Sequence, residues 1–406
     1  IAYIKARIAL RDRCLAAAAL WLAVLPIALA LGLMSKENAV LVLPSLILIE
    51  WLGFNRDAAA WKKSGRKTVI SFFYAGLALL IASGIYLLAE KDVMQVAYAG
   101  RDFNLPERLM TQLHALWLYI KLTVIPIPSL MGLFHDDFPV QRAFDLGTAL
   151  ALLGHLTMIG VAIAFSRPAP LIALGIFWFY CWHAVESSII PLEMVFEHRN
   201  YLASLGVIYA VSGILRVLFT TIPNTRIIAA FAVALVATLS LTTMSRAFEW
   251  SSYELQVRVE YEKSPNSVRA TEAMFILANN RGDRAEAQRL LESLQRLSPN
   301  NAWPLLLEVL FRCAEPDVEP GLFRQTLTAA RNGIMSPAYV VTLERLERAK
   351  LSGACPAMSA TDIQKLASAA AANPRVHHPN TTYMADVLLA AVATRNGDYD
   401  ASIAAL

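Results

Sequence analysis

The stretch "CLAAAALWLAVLPIALALGLMSKENAVLVLPSLILIEWLGF", residues 14–54, consists of two apolar runs that are separated by the four polar residues 35–38. An α-helix needs about 20 predominantly apolar residues to cross a bilayer. The two runs are therefore predicted membrane spans over residues 14–34 and 39–54. The four polar residues between them are predicted to lie at a membrane face.

The rest of the chain also has the composition of a membrane protein. Of its 406 residues, 56% are hydrophobic and 17% are charged, and the mean hydropathy is +0.47. Soluble domains contain about 25% charged residues. The net charge of +4 is too small to indicate a nucleic-acid partner. Further predicted spans lie at residues 68–89, 144–165, 169–189, 201–220 and 226–245.

One more helix is predicted over residues 108–126, and it carries the polar residues Gln112, His114 and Lys121. It is compatible with an interfacial helix, a re-entrant segment or a true span, so seven or eight membrane helices are predicted. The Lys and Arg residues of segments 1–13 and 55–67 place both segments in the cytoplasm. Counts of spans from the two ends of the chain agree only if helix 108–126 does not cross, or if another break exists.

Residues 246–406 are predicted to form a separate domain of helical repeats. The tripeptide Ser-Pro-Asn at 264–266 recurs at 298–300, and this spacing of 34 residues is the tetratricopeptide (TPR) period. The predicted fold is therefore all-α, with a transmembrane domain over 1–245 followed by a TPR-like α-solenoid over 246–406. Such a solenoid presents a concave surface to proteins or peptides, or serves simply as a docking or oligomerisation module.

The cysteines show no C-x-x-C spacing, and no metal site is predicted from them. Cys313 and Cys355 both lie in the polar C-terminal part. They are candidates for a disulfide if that part is periplasmic, but the sequence does not show whether the two residues meet.

Charged residues are predicted to gather at the non-cytoplasmic membrane face, where ionisable groups are costly and need partners. One interpretation is that they pair with each other and fix the ends of helices. The other is chemistry on a phosphate-bearing lipid, in which Lys36 and Arg199 bind phosphate and a carboxylate acts as a base. The groups are residues 35–38, 101–108, 135–137 and 197–200.

Several motifs occur in one order along the chain: "LMSKENAV" at 33–40, "HDDF" at 135–138, "EHRNYLASLG" at 197–206 and the TPR-like units. With its polytopic spans, the chain resembles the GT-C glycosyltransferases with TPR tails, which include bacterial members and the animal transmembrane-and-TPR O-mannosyltransferases. It departs from the family pattern by His198, inserted between Glu and Arg, and by Ala203, where the family often has Pro.

The resemblance implies transfer of a sugar from a polyprenyl-phosphate-linked donor to a protein or glycan acceptor. The reaction would take place on the periplasmic face of a bacterial inner membrane, with the TPR domain recruiting the acceptor and no cofactor besides the lipid-linked donor. GT-C enzymes carry their catalytic acid in the first external loop, which is expected upstream of Ile1. The residues assigned to catalysis are Glu197, His198, Asp136 and Asp137, and those assigned to the lipid phosphate or sugar are Lys36, Glu37, Arg101, Arg199 and Tyr201.

Two other functions fit the same pattern. The first is a lipid-linked oligosaccharide ligase of the O-antigen-ligase type, which would transfer a long glycan in one step. The second is a non-catalytic membrane scaffold or complex subunit that binds proteins through its TPR domain.

Overall fold

The computed structural model describes residues 1–54, 101–220, 224–315, 319–374 and 379–405, together with scattered positions between 71 and 98. The predicted loop 55–67 and most of the predicted span 68–89 lie outside the described residues. Within them, the chain forms helices joined by turns, with one isolated parallel bridge between Asn301 and Ile334. The predicted all-α fold is confirmed.

Residues 1–91 and 103–248 form one compact unit, called the membrane unit here. The helices of both units are numbered through the described residues. Those of the membrane unit are α1 (Ala2–Arg11), α2 (Leu15–Ser35), a 3-10 turn (Glu37–Leu41), α3 (Val42–Ile49), a π turn (Glu50–Phe54), α4 (Leu105–Val124), α5 (Leu146–Phe165), α6 (Pro170–His183), α7 (Asn200–Thr220) and α8 (Thr225–Glu249).

Five helical stretches in the described residues are long and apolar enough to cross a membrane, which indicates a membrane protein with transmembrane helices. The predicted span 169–189 is wrong in its length, because α6 ends at His183 after 14 residues. The irregular chain that follows contains Glu186 and Pro191. The five stretches are Leu15–Ser35, Glu37–Phe54, Leu146–Phe165, Glu197–Thr220 and Thr225–Glu249.

Helices α6 and α7 pack closely through glycine. A Cβ atom added at Gly206 would lie 2.4 Å from the Gly175 carbonyl oxygen and 2.6 Å from the Phe179 nitrogen. A Cβ atom at Gly213 would lie 2.8 Å from Ile172 Cγ1. Small residues let helix backbones approach each other in membranes, where van der Waals packing replaces the hydrophobic effect. This contact fixes the start of α7, and with it the residues 197–200 that precede and open the helix.

The amino-terminal helix α1 is held against the π turn by a buried ion pair. Arg7 Nε donates to Glu50 Oε2 at 2.7 Å and its Nη2 donates to Oε1 at 3.0 Å. The Tyr3 hydroxyl donates to the same carboxylate at 2.8 Å. Both oxygens of Glu50 are thus hydrogen-bonded, which offsets the cost of burying the charge.

Residues 92–102 and 249–406 form the second compact unit, called the helix-pair unit here. Its helices are α9 (Tyr253–Lys263), α10 (Val268–Asn280), α11 (Arg284–Leu297), α12 (Trp303–Arg312), α13 (Pro320–Asn332), α14 (Pro337–Leu351), α15 (Ala360–Ala371), α16 (Pro379–Arg395) and α17 (Tyr399–Ala404). From α10 onward, successive helices form four pairs, α10–α11, α12–α13, α14–α15 and α16–α17. The first helices of the last three pairs, α12, α14 and α16, pack one on the next around one apolar core.

The recurring Gly-Asp dipeptide makes the same turn in the first and last pairs. Gly282 and Gly397 have φ angles of 74° and 77°, which are left-handed conformations that favour glycine. The following Asp283 and Asp398 cap the second helix by accepting a backbone N–H three residues later. Each dipeptide therefore ends one helix and starts its partner.

Candidate functional site

Three connections of the membrane unit meet on one side. They are the join between α2 and the 3-10 turn, the loop between α4 and α5, and the join between α6 and α7. Lys36 Nζ of the first lies 3.1 Å from Glu186 Oε1 of the third. His135 of the second lies 3.0 Å from Glu197, also of the third. Of the predicted site residues, Lys36, His198, Arg199 and Glu197 thus belong to one polar cluster.

Glu186 lies at the centre of this cluster, and its side chain is only 6% exposed. Its carboxylate receives a hydrogen bond from the Asn38 amide as well as the Lys36 ion pair. Lys36 is 49% exposed, so its ammonium group faces solvent on its other side. The Asn38 Oδ1 atom is buried and has no hydrogen-bond partner among the described residues.

Arg199 is held differently from Lys36. Its Nη2 donates to Glu193 Oε2 and its Nη1 donates to the Glu193 carbonyl oxygen, both at 2.6 Å. Its guanidinium lies 5.6 Å from the centre of the Phe196 ring, and the side chain is 9% exposed. Of these two cations of the cluster, Lys36 is therefore the accessible one, and Arg199 shapes the join.

Glu197 and His135 form a second pair beside the first. The His135 Nε2 atom lies 3.0 Å from Glu197 Oε1, and the backbone nitrogen of Gly132 donates to the same oxygen at 2.7 Å. A carboxylate that accepts from one imidazole nitrogen orients the ring and leaves the other nitrogen for proton transfer. The pair could therefore move a proton at the surface of the cluster.

The neighbouring carboxylates of the same loop differ in burial. Asp136 is exposed, whereas Asp137 is partly buried. Burial raises the pKa of Asp137, and the negative charge of Asp136 raises it further. Asp137 therefore keeps its proton to a higher pH than an ordinary aspartate.

His198 and Tyr201 are both exposed on the same join. The His198 ring packs edge-on against Phe196, with 4.2 Å between ring centres. It lies within the electrostatic field of the two cations and two carboxylates of the cluster, Lys36, Arg199, Glu186 and Glu193. Glu37 is exposed beside Lys36. Arg101 is exposed and belongs to the helix-pair unit.

Arg108 positions the join between α6 and α7; the sequence placed it in the charged group 101–108 but gave it no role of its own. It is fully buried, at 0% exposure. Its guanidinium donates to three backbone carbonyl oxygens of the join, those of Ser188 at 2.8 Å, Leu192 at 2.6 Å and Glu186 at 2.6 Å. The chain at 184–196 has little helical structure, so its buried carbonyls need such donors.

Two further residues of α4 continue this support. Gln112 donates to the Met194 carbonyl oxygen at 2.8 Å. The Tyr119 hydroxyl accepts from the Phe196 nitrogen at 2.9 Å and lies 3.2 Å from the Phe196 carbonyl oxygen. Positions 108, 112 and 119 fall on one face of a helix. Three polar residues at this spacing were the sequence feature that could have predicted a polar, supporting face on α4. Helix α4 thus runs along the join.

A third contact ties α6 to the start of α7. His183 Nε2 lies 3.3 Å from Asn200 Oδ1, and the His183 ring stacks on Tyr119 with 5.0 Å between centres. The Asn200 amide nitrogen donates to Thr123 Oγ1 at 3.1 Å. Polar contacts among α4, α6 and α7 therefore support the cluster.

Within the described residues, no three His, Cys, Asp or Glu side chains are arranged to hold a metal ion. Comparison of the chain with protein families, curated proteins and solved structures finds no match.

Proposed function

We propose that the chain is a membrane glycosyltransferase of the GT-C type. It transfers a sugar from a polyprenyl-phosphate-linked donor to a protein or glycan acceptor on the periplasmic face of a bacterial inner membrane. The observation that carries the proposal is the cluster of Lys36, Glu186, His198 and Glu197 at the end of apolar helices. A charged cluster at the end of apolar helices suits a substrate that is apolar at one end and anionic at the other.

On the donor side, Lys36 is the residue that we assign to the lipid phosphate. It follows α2, whose last turn exposes Met34 and Leu33. A prenyl chain against these side chains would bring its phosphate to the lysine. Glu186 would keep its hydrogen bond from Asn38 when Lys36 turns to the phosphate, so the carboxylate stays partnered. The phosphate is the leaving group, and a fixed cation stabilises the charge that develops on it.

On the acceptor side, we assign Glu197 with His135, and His198 beside them. The acceptor hydroxyl attacks the anomeric carbon of the sugar, its proton passes to the imidazole or carboxylate, and the bond from the sugar to the phosphate oxygen breaks. A base must lie within hydrogen-bond reach of that hydroxyl. Asp136 and Asp137 lie next to His135 in the chain and are assigned to hydroxyls of the sugar or acceptor.

The helix-pair unit is proposed to be TPR-like, to lie in the periplasm and to recruit the acceptor protein. A cavity of about 230 Å³ in this unit is lined by aromatic, aliphatic, amide and charged side chains, and it would take one side chain of a bound peptide. Its lining includes Phe275, Asn279, Trp303, Phe311 and Arg345.

The test is sugar transfer by the purified full-length gene product in lipid nanodiscs. The donors are a panel of undecaprenyl-phosphate-linked monosaccharides, and the acceptor is a periplasmic protein extract. We expect Lys36→Ala to lower transfer about 100-fold, the loss typical when a donor to a developing anion is removed. Lys36→Arg should retain part of the activity. The matched control is Lys121→Ala, which removes an exposed lysine of α4 outside the cluster.

A folded Lys36→Ala protein with wild-type transfer would refute the assignment of this residue. Transfer of a long glycan in one step would instead indicate the oligosaccharide ligase.

One observation favours the scaffold as a second candidate. Lys36, Arg199 and His135 each already have a carboxylate partner in the same unit. A purely structural cluster would look the same, since charges near a membrane need partners. The scaffold is favoured if the wild-type protein transfers no sugar from any donor but retains a periplasmic protein on its helix-pair unit.

A further inference from the structure

The two cysteines of the helix-pair unit occupy related positions in neighbouring pairs. Cys313 caps the carboxyl end of α12, and Cys355 lies in the turn that follows α14. Helices α12 and α14 are the first helices of adjacent pairs and pack on each other. Both cysteines belong to the same apolar core, at 3% and 0% exposure.

The backbone explains why the two cysteines meet. Just before α12 and α14, Ile334 donates to the Asn300 carbonyl oxygen at 2.8 Å, and Ala302 donates to the Ile334 carbonyl oxygen at 3.1 Å. This parallel bridge starts both helices side by side, and α14, with 15 residues, is five residues longer than α12, with 10. Gly353, with a φ of 78°, then turns the chain back after α14 and directs Cys355 into the core.

The thiols are close enough to affect each other. Burial raises the pKa of Cys313 to about 12, and a hydrogen bond with Cys355 and the charge of that residue add to the effect. Both cysteines are reduced in this structure. Two buried thiols that hydrogen-bond to each other, at the ends of helices that pack together, are candidates for a disulfide.

We propose that Cys313 and Cys355 form a disulfide that joins the second helix pair to the third in the native protein. The inference rests on the proposed periplasmic placement of the helix-pair unit, because disulfides persist in oxidising compartments.

The oxidant is the disulfide of a thiol–disulfide oxidoreductase. A thiolate of the pair attacks that disulfide and forms a mixed disulfide, and the second thiolate displaces the oxidant. The cysteine pair loses two electrons and two protons, and the oxidant's two sulfurs become thiols. Since both thiols are buried in the folded unit, the bond must form before the core closes.

The test counts free thiols in native membranes. Cys14→Ala and Cys181→Ala leave only the pair, and membranes are quenched with acid, denatured and treated with a polyethylene-glycol maleimide. We expect no mobility shift without reductant and a double shift after reduction. In the matched control, a further Cys313→Ala change should give one shift under both conditions.

A second label separates this inference from the proposed function. Arg289 is 73% exposed on α11. In a chain without native cysteines, Arg289→Cys is treated in spheroplasts with a membrane-impermeant maleimide. If Arg289→Cys is labelled but the native pair is free, the disulfide is refuted and the placement stands. If Arg289→Cys is protected and the pair is free, the placement fails and the disulfide fails with it.

Discussion

Replacement of Arg108 by Met should destabilise the membrane unit strongly. Methionine keeps most of the side-chain length but removes the donors to the carbonyl oxygens of Glu186, Ser188 and Leu192. A hydrogen bond to a charged group contributes about 1.5–3 kcal/mol, and a buried acceptor left without a partner costs about 1–3 kcal/mol. These terms are not additive, and Met recovers some apolar packing. We expect a net loss of about 3–5 kcal/mol, the range for breaking a buried charged network.

The free energy of unfolding is measured in detergent micelles by titration with a denaturing detergent and followed by far-ultraviolet circular dichroism. The control is Arg142→Ala, which removes an exposed ion pair with Glu107 at the start of the same helix. Exposed pairs contribute about 0–1 kcal/mol. Arg108→Lys should fall between the two, because one ammonium group cannot reach three diverging carbonyls. An Arg108→Met protein as stable as the control would show that the join keeps its shape without this side chain.

Two further predictions concern packing and titration. Gly206→Ala should cost about 1–3 kcal/mol by overpacking, since its Cβ atom would lie 2.4 Å from the Gly175 carbonyl oxygen. Thermal unfolding measures this loss of stability. The control is Gly160→Ala, which has nothing within 4 Å of its added Cβ atom and should be neutral or slightly stabilising. Equal losses of stability in the two variants would contradict the close approach of α6 and α7. Burial raises the pKa of Asp137, so folding favours its protonated form. The contribution of Asp137 to stability is therefore present below its unfolded pKa of about 3.9 and is lost as the pH rises through its folded pKa. Asp137→Asn should therefore gain stability relative to wild type as the pH is raised from about 4 to about 7, and a relative loss over that interval would reverse the sign of the shift.

Hydropathy located most of the membrane helices because burial in lipid requires long apolar runs. The predicted runs at 14–34 and 144–165 lie within two residues of α2 and α5. The start of α4 was placed at residue 108, three residues late. Its first turn contains a capping box in which Asn104 and Glu107 each accept the other's backbone N–H. That signal is local and was available in the sequence.

The site was only partly predictable. Lys36, Arg199 and Glu197 were found because charges between apolar runs are rare and therefore informative. The partner of Lys36 was not, because the Asn38 and Lys36 contacts with Glu186 join residues about 150 positions apart. Such a pairing depends on how α2, α6 and α7 pack, which hydropathy does not specify. The GT-C and TPR resemblances stay predictions.

Because Arg108 holds the join through main-chain oxygens, the shape of the join is set separately from the chemistry of the join's side chains. The arginine binds main-chain oxygens, which every amino acid supplies, so its hydrogen bond to position 192 does not depend on the side chain of Leu192. Substitutions at this position would alter the surface offered to a ligand while the hydrogen bonds of Arg108 stay the same. A lineage could in this way diversify what it recognises at the membrane face at little cost in stability, as long as the Arg108 guanidinium is kept.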